Sequence, residues 1–192
     1  MRVFGLTGGV GMGKTTVAGL LQEHGVPVVD TDDLARQLVQ PGQPALEEIC
    51  QTFGANLKDS TGELRRDALA KIVFADATAR SKLEAILHPR IRQLWKTQLI
   101  AWREEGRSAA AVVIPLLYET QAESEFDSII CVACSEATQR RRLTQRGWSQ
   151  EQITQRIAAQ LPINEKMLRS THVVWTEGDL QTSAEQLSRI FS

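Results

Sequence analysis

Near the start of the chain, the apolar run Arg2–Leu6 meets Gly8-Gly9-Val10-Gly11-Met12-Gly13-Lys14-Thr15, and an amphipathic stretch, Lys14–His24, follows. This is G-x-x-x-x-G-K-[ST] between a strand candidate and a helix candidate, and it restricts the fold more than any other feature. Glycines let the backbone turn so that successive N–H groups converge on phosphate oxygens. The helix that begins at Lys14 adds the positive end of its dipole. The spacing therefore predicts a nucleotide phosphate site formed by Gly9, Gly11, Met12, Gly13, Lys14, Thr15 and Thr16. Lys14 is placed to reach the β- and γ-phosphates, and the Thr15 hydroxyl to ligate Mg²⁺. Kinases, GTPases and other ATPases share this loop, so it leaves the reaction open.

The rest of the chain alternates short apolar runs with helical ones. Val26–Val29, Ala109–Ile114, Ser128–Val132 and His172–Trp175 read as further strands. They are nearly continuous in apolar character, as parallel strands covered on both faces are. The fold class expected is α/β: a five-stranded parallel sheet of the P-loop NTPase type, flanked by helices. Residues 30–108 separate the second and third strands, whereas a βαβ crossover needs only about a dozen. They carry the helical segments Asp33–Gln40, Ala45–Phe53, Asp67–Phe74, Ala79–Leu87 and Pro89–Glu105. We read residues 32–106 as an inserted helical subdomain. A helical pair, Glu136–Arg146 and Gln150–Gln160, lies within a second inserted segment, 135–169, and Ser149-x-x-Gln152 predicts a capping box. Residues 1–31, 107–134 and 170–192 then form the core of a single domain.

Asp30 and Asp32 follow the second strand. A right-handed βαβ unit makes that strand parallel to the first. Both carboxyl ends then open on one edge, where α/β sheets bind ligands. One carboxylate there can accept a proton from a hydroxyl acceptor, and Asp30 can support Mg²⁺. Asp33 reads as an ordinary acid of a first helical turn.

Composition removes several classes. Lys+Arg 22 against Asp+Glu 23 gives a net charge of -1, without the basic excess of a non-specific nucleic-acid binder. No apolar run approaches the ~20 residues of a membrane span, and MRVFGLTGGV lacks the form of a signal peptide. Three cysteines do not suggest a secreted disulfide scaffold, so a cytoplasmic location is expected.

With these motifs in view, the chain resembles the dephospho-coenzyme A kinase family. Leu6–Thr16 reads LTGGVGMGKTT, beside the family's LTGGIGSGKST. Val29-Asp30-Thr31-Asp32-Asp33-Leu34-Ala35-Arg36, leading to Pro41-Gly42, is similar to its VIDAD-x-x-AR segment. Leu64-Arg65-Arg66 through Phe74, Leu87-His88-Pro89, and Ile114-Pro115-Leu116-Leu117-Tyr118-Glu119 are similar to three more of its motifs. The resemblance covers almost the whole chain. It implies phosphorylation of the ribose 3′-hydroxyl of dephospho-CoA by ATP, with Asp32 as the base. It also implies that the helical insertion binds the acceptor, with Arg66, His88 and Glu119 as candidates, and that segment 135–169 is a lid over ATP. Thr176 departs from the family's usual Asn near the last strand.

Arg142 and Arg146 are four apart on one predicted helix and share a face, which suits clamping of phosphoryl charge. Arg140 and Arg141 read as solvated. Cys131-x-x-Cys134 sits at a strand end without a second Cys/His pair at finger spacing, which argues against zinc. Trp95, Trp102, Trp148 and Trp175 read as packing residues. Two rivals remain at this stage: a P-loop kinase for another small acceptor, and a nucleotide switch without transfer chemistry. An N-K-x-D guanine-reading motif is absent from the sequence.

Overall fold

The computed structural model describes residues 1–191, which form two compact units: residues 1–29 with the chain from Trp102 onward, and Asp30–Ala101. The larger unit carries the parallel sheet, in the order β2-β3-β1-β4-β5. At its centre, β1 (Arg2–Gly8) pairs in parallel with β3 (Ala109–Val113), from Arg2 opposite Ala109 to Leu6 opposite Val113. Its other edge pairs with β4 (Ser128–Ala133), Gly8 lying opposite Val132. β5 (His172–Trp175) continues the sheet beyond β4. β2 (Val28–Asp30) begins one residue after Pro27, which lacks an N–H but whose carbonyl accepts from Ala111 N at 2.9 Å.

Every residue of β4 is buried, which explains its unbroken apolar run: both faces of the strand are covered. α1 (Lys14–Glu23) and α9 (Leu180–Phe191) pack Val17, Leu20, Leu21 and Leu187 against Phe4, Leu6, Ile130 and Val174. Each such side chain contributes about 1.5–3 kcal/mol. α6 (Glu136–Gln145), α7 (Gln150–Ala158) and α8 (Ile163–Arg169) lie between β4 and β5. The capping box at Ser149 and Gln152 is present. The sequence pattern predicts only two helices here, because α8 has no apolar stripe. Its buried residue is Lys166, while Leu168 is 86% exposed. Asp179 precedes α9, and its Oδ1 accepts from Thr182 N at 2.8 Å.

The smaller unit contains α2 (Thr31–Leu38), α3 (Pro44–Phe53), α4 (Arg66–Ala75) and most of α5 (Ala77–Glu104). It has its own core of Val39, Leu46, Ile49, Leu57, Leu69 and Ile86. Asp30–Ala101 is a compact unit by itself. One expectation is corrected. The two helices predicted at Ala79–Leu87 and Pro89–Glu105 are one continuous 28-residue helix. Proline normally breaks a helix by removing an N–H and crowding the preceding turn. Here Pro89 leaves only the Ala85 carbonyl without its usual donor, and the helix runs on with Ile86 buried before the proline and Trp95 after it.

Candidate active site

The phosphate loop is held open by close packing on its outer side. Gly8 has φ 143°, and a Cβ there would stand 2.2 Å from the Val132 carbonyl oxygen, so β4 approaches too closely for any side chain. Gly11, at φ 74°, faces Leu143 of α6, whose Cγ would lie 2.8 Å from a Cβ. Gly13 is the N-cap of α1. Met12 is buried, its amide donates to the Gly9 carbonyl at 3.3 Å, and its Sδ would lie 2.8 Å from a Cβ on Gly9. The Lys14 ammonium folds back over the loop and donates to the Gly8 and Gly9 carbonyls, both at 2.9 Å. Thr15 and Thr16 are exposed on the first turn of α1.

Beside the loop opens a cavity of about 290 Å³, lined by Gly11, Thr16, Arg142, Arg146, Thr176 and the start of α9. The sequence-predicted arginines meet the loop here. Arg142 Nη1 donates to Thr176 Oγ1 at 2.9 Å, and its other nitrogen to the Thr176 carbonyl. Thr176 Oγ1 in turn donates to the Met12 carbonyl at 2.8 Å. The threonine that departs from the expected Asn is therefore a buried brace between α6 and the phosphate loop. Arg146, the C-cap of α6, is exposed at the rim. Arg140 instead pairs with Glu136 one turn earlier, as a solvated charge would.

Glu177 joins the same wall to the start of α6. Its exposed carboxylate accepts from the amide and hydroxyl of Ser135 and from the Thr138 hydroxyl at 2.7 Å. These donors, the Ser135 hydroxyl first, pull its pKa down to about 2.

Glu119 lies in the larger unit, where one carboxylate oxygen accepts from Leu161 N at 2.8 Å and pairs with Lys166 at 2.8 Å. Lys166 is fully buried and also donates to the Pro115 carbonyl at 2.8 Å. A buried ammonium needs such partners, because desolvating an unpaired charge is far costlier than burying a paired one. Nothing in the sequence around Lys166 signals this burial.

The remaining candidates belong to the smaller unit. Asp30 is the N-cap of α2, its Oδ1 accepting from Asp32 N at 2.8 Å. Asp32 follows on the first turn with an exposed side chain. Asp33 pairs with Arg36 at 2.6 Å, as an ordinary first-turn acid does. Arg66 opens α4 and His88 sits mid-way along α5, both exposed. The structure thus brings Lys14, Thr16, Arg142 and Arg146 together around one loop, and Asp30 and Asp32 together at one helix start.

A family model for dephospho-CoA kinase matches residues 2–182. A dephospho-CoA kinase from Anaeromyxobacter dehalogenans is 43% identical over 193 residues, covering 100% of this chain and 92% of its own. A crystal structure of a Thermus thermophilus protein superposes with a TM-score of 0.87 at 34% identity, covering 99% of this chain and 95% of that one. A dephospho-CoA kinase structure from Campylobacter jejuni shares the fold, with a TM-score of 0.73 at 23% identity over 100% of this chain and 96% of its own.

Proposed function

The chain belongs to the dephospho-CoA kinase family, whose reaction is the ATP-dependent phosphorylation of dephospho-CoA in coenzyme A synthesis, and we propose that Asp32 is the base that accepts the ribose 3′-hydroxyl proton. The observation that carries the phosphoryl-transfer reading is the intact phosphate loop, with Lys14 at the start of α1 and its ammonium over the Gly8 and Gly9 carbonyls. In this reading the loop amides and Lys14 hold the β- and γ-phosphates and stabilise charge that develops in transfer. Arg142 and Arg146 flank the nucleotide, and the neighbouring cavity receives the base. Arg66 and His88 position the acceptor. Glu119 is the third acceptor candidate, and one of its carboxylate oxygens is already engaged by Lys166 and the Leu161 amide.

The exposed Thr15 hydroxyl fits a hard cation that keeps much of its water shell and is carried mainly by phosphate oxygens. Thr15 would hold Mg²⁺ with the nucleotide, supported by Asp30. Bound there, the ion would neutralise phosphate charge. Asp30 has one carboxylate oxygen engaged as a helix cap, so its support would be indirect, through water. Closure of residues 135–169 over ATP would exclude water, since an open site hydrolyses ATP without an acceptor. A cytoplasmic location accords with three buried cysteines, all free. Among the described residues, no helix is long and apolar enough to cross a membrane.

The test is an acceptor panel with Mg-ATP: dephospho-CoA, shikimate and nucleoside monophosphates, with products identified by mass spectrometry. Coenzyme A is the expected product, with the other acceptors turned over far more slowly. Robust transfer to another acceptor and none to dephospho-CoA would overturn the substrate. ATP turnover indifferent to every acceptor would favour the switch reading.

A further inference from the structure

Val10 is the third residue of the phosphate loop, and its two peptide groups are each taken by a glutamine side chain from far along the chain. The Val10 N–H donates to Gln160 Oε1 at 2.9 Å. The Val10 carbonyl accepts from Gln139 Nε2 at 2.7 Å. The amide orientations are set by the backbone itself, since an N–H can meet only the oxygen and a carbonyl only the nitrogen.

Both glutamines hang from anchored main chain. Gln139 is buried on α6, whose first turn is tied down by Ser135, Thr138 and Glu177. Gln160 follows α7, and the next residue, Leu161, donates its amide to Glu119, which also pairs with buried Lys166. The same α6 touches the loop twice more, through Leu143 against Gly11 and through Arg142 and Thr176 to the Met12 carbonyl. A glycine-rich loop has the most conformational freedom to lose on binding. Holding one of its few non-glycine peptides from both sides removes that freedom beforehand, and the loss is then not drawn from binding energy.

We infer that Gln139 and Gln160 are positioning residues that preset the phosphate loop for ATP, coupling its shape to the segment 135–169. They act through the loop and touch no reacting atom. The Val10 amide is accordingly assigned to loop shape and not to phosphate. This inference rests on the assignment of the loop to ATP, so nucleotide binding is measured directly by calorimetry on the full chain, apart from turnover. Absence of ATP binding by the unaltered protein would count against that assignment. Normal binding by the variants would count against the glutamines alone.

The two positions call for opposite chemistry, and that separates positioning from mere packing. Gln160→Met keeps the shape and removes the acceptor. Gln160→Glu keeps an acceptor. Gln139→Met removes the donor, and Gln139→Glu sets an acceptor against the Val10 carbonyl. Losing one such bond should weaken ATP binding about tenfold. We expect Kd and KM for ATP to rise about tenfold in Gln160→Met and Gln139→Met, and by more in Gln139→Glu. Gln160→Glu should fall between the unaltered protein and Gln160→Met, because it keeps the acceptor while its added charge opposes the phosphates. KM for dephospho-CoA should move in none of them. If burial of a new carboxylate prevents Gln139→Glu from folding, Gln139→Met and the Gln160 pair carry the test. ATP Kd unchanged in both Met variants, or Gln160→Glu as impaired as Gln160→Met, would overturn the inference.

Discussion

The phosphate loop and the start of α2 are both short segments that follow a strand, but they are built in opposite ways. The loop is backbone turned toward the ligand side and packed on the other by Val132, Leu143 and the side chain of Met12. Its carbonyls and amides are engaged by Lys14, Thr176, Gln139 and Gln160. The start of α2 presents side chains, with Asp30 as cap and Asp32 and Asp33 exposed behind it. A site made of backbone tolerates few substitutions in its frame but shares its function over many groups. A site made of one exposed carboxylate can lose its chemistry while keeping its structure. The following experiments set the two against each other.

The largest effect is expected at α2. Asp32→Asn preserves shape and removes the proton acceptor, so kcat should fall roughly 10²–10⁴-fold with little change in ATP Kd. That is about 3–5 kcal/mol of barrier. Asp30→Asn keeps a good N-cap, so the fold should be retained and excess Mg²⁺ should restore part of any lost activity. Both variants are compared by kcat and nucleotide Kd across a Mg²⁺ titration. Near-normal kcat in Asp32→Asn, with an irrecoverable loss in Asp30→Asn, would exchange the two roles.

A somewhat smaller loss is expected within the loop. Lys14→Ala removes one charge from a site whose amides remain, so kcat/KM should drop about 10²–10³-fold, or roughly 3–4 kcal/mol. The melting temperature should change little, because the Lys14 side chain is only half-buried and lies outside the apolar core. Unchanged turnover in a folded Lys14→Ala protein would remove the lysine from the mechanism.

The smallest effect concerns the wall that braces the loop, and it depends on pH. The Glu177 carboxyl sits at about 2 when folded, below its ordinary 4.5. A depressed carboxylate stabilises the fold above the unfolded pKa and loses that contribution as pH falls through the folded one. Glu177→Gln should therefore lower the melting temperature at neutral pH, and its gap from the unaltered protein should narrow between about pH 4.5 and 2. Thermal melts across that range are the measurement. A gap independent of pH would mean that the hydrogen bonds of Glu177 do not depend on its charge.

What could be read before folding differs between the two regions for a physical reason. The loop is legible because backbone geometry is written in glycine spacing, and because a strand and a helix flank it in the sequence. The strand positions were legible too: β5 is found at His172–Trp175 as expected, and β1 only extends two residues further, to Gly8. Asp30 and Asp32 were legible as a pair following β2, but which of them caps α2 is visible only from the hydrogen bond. α8 and the continuity of α5 through Pro89 were not legible. The first is held by a buried Lys166 instead of an apolar stripe, and the second has buried positions on both sides of the proline, Ile86 and Trp95.

The sequence by itself determined the α/β class, the phosphate loop, the helical insertion and the resemblance that leads to dephospho-CoA. The class, the loop and the insertion rest on local spacing and periodicity, and the resemblance on short motifs, all of which neighbours in the chain carry together. Tertiary structure alone decided what holds the loop in shape. Val10 meets Gln139 and Gln160 across separations of 129 and 150 residues, and Thr176 reaches Met12 across 164. A glutamine or threonine in a linear sequence is an ordinary polar residue. It becomes a brace only when folding brings it within hydrogen-bond distance of a backbone group that water no longer serves.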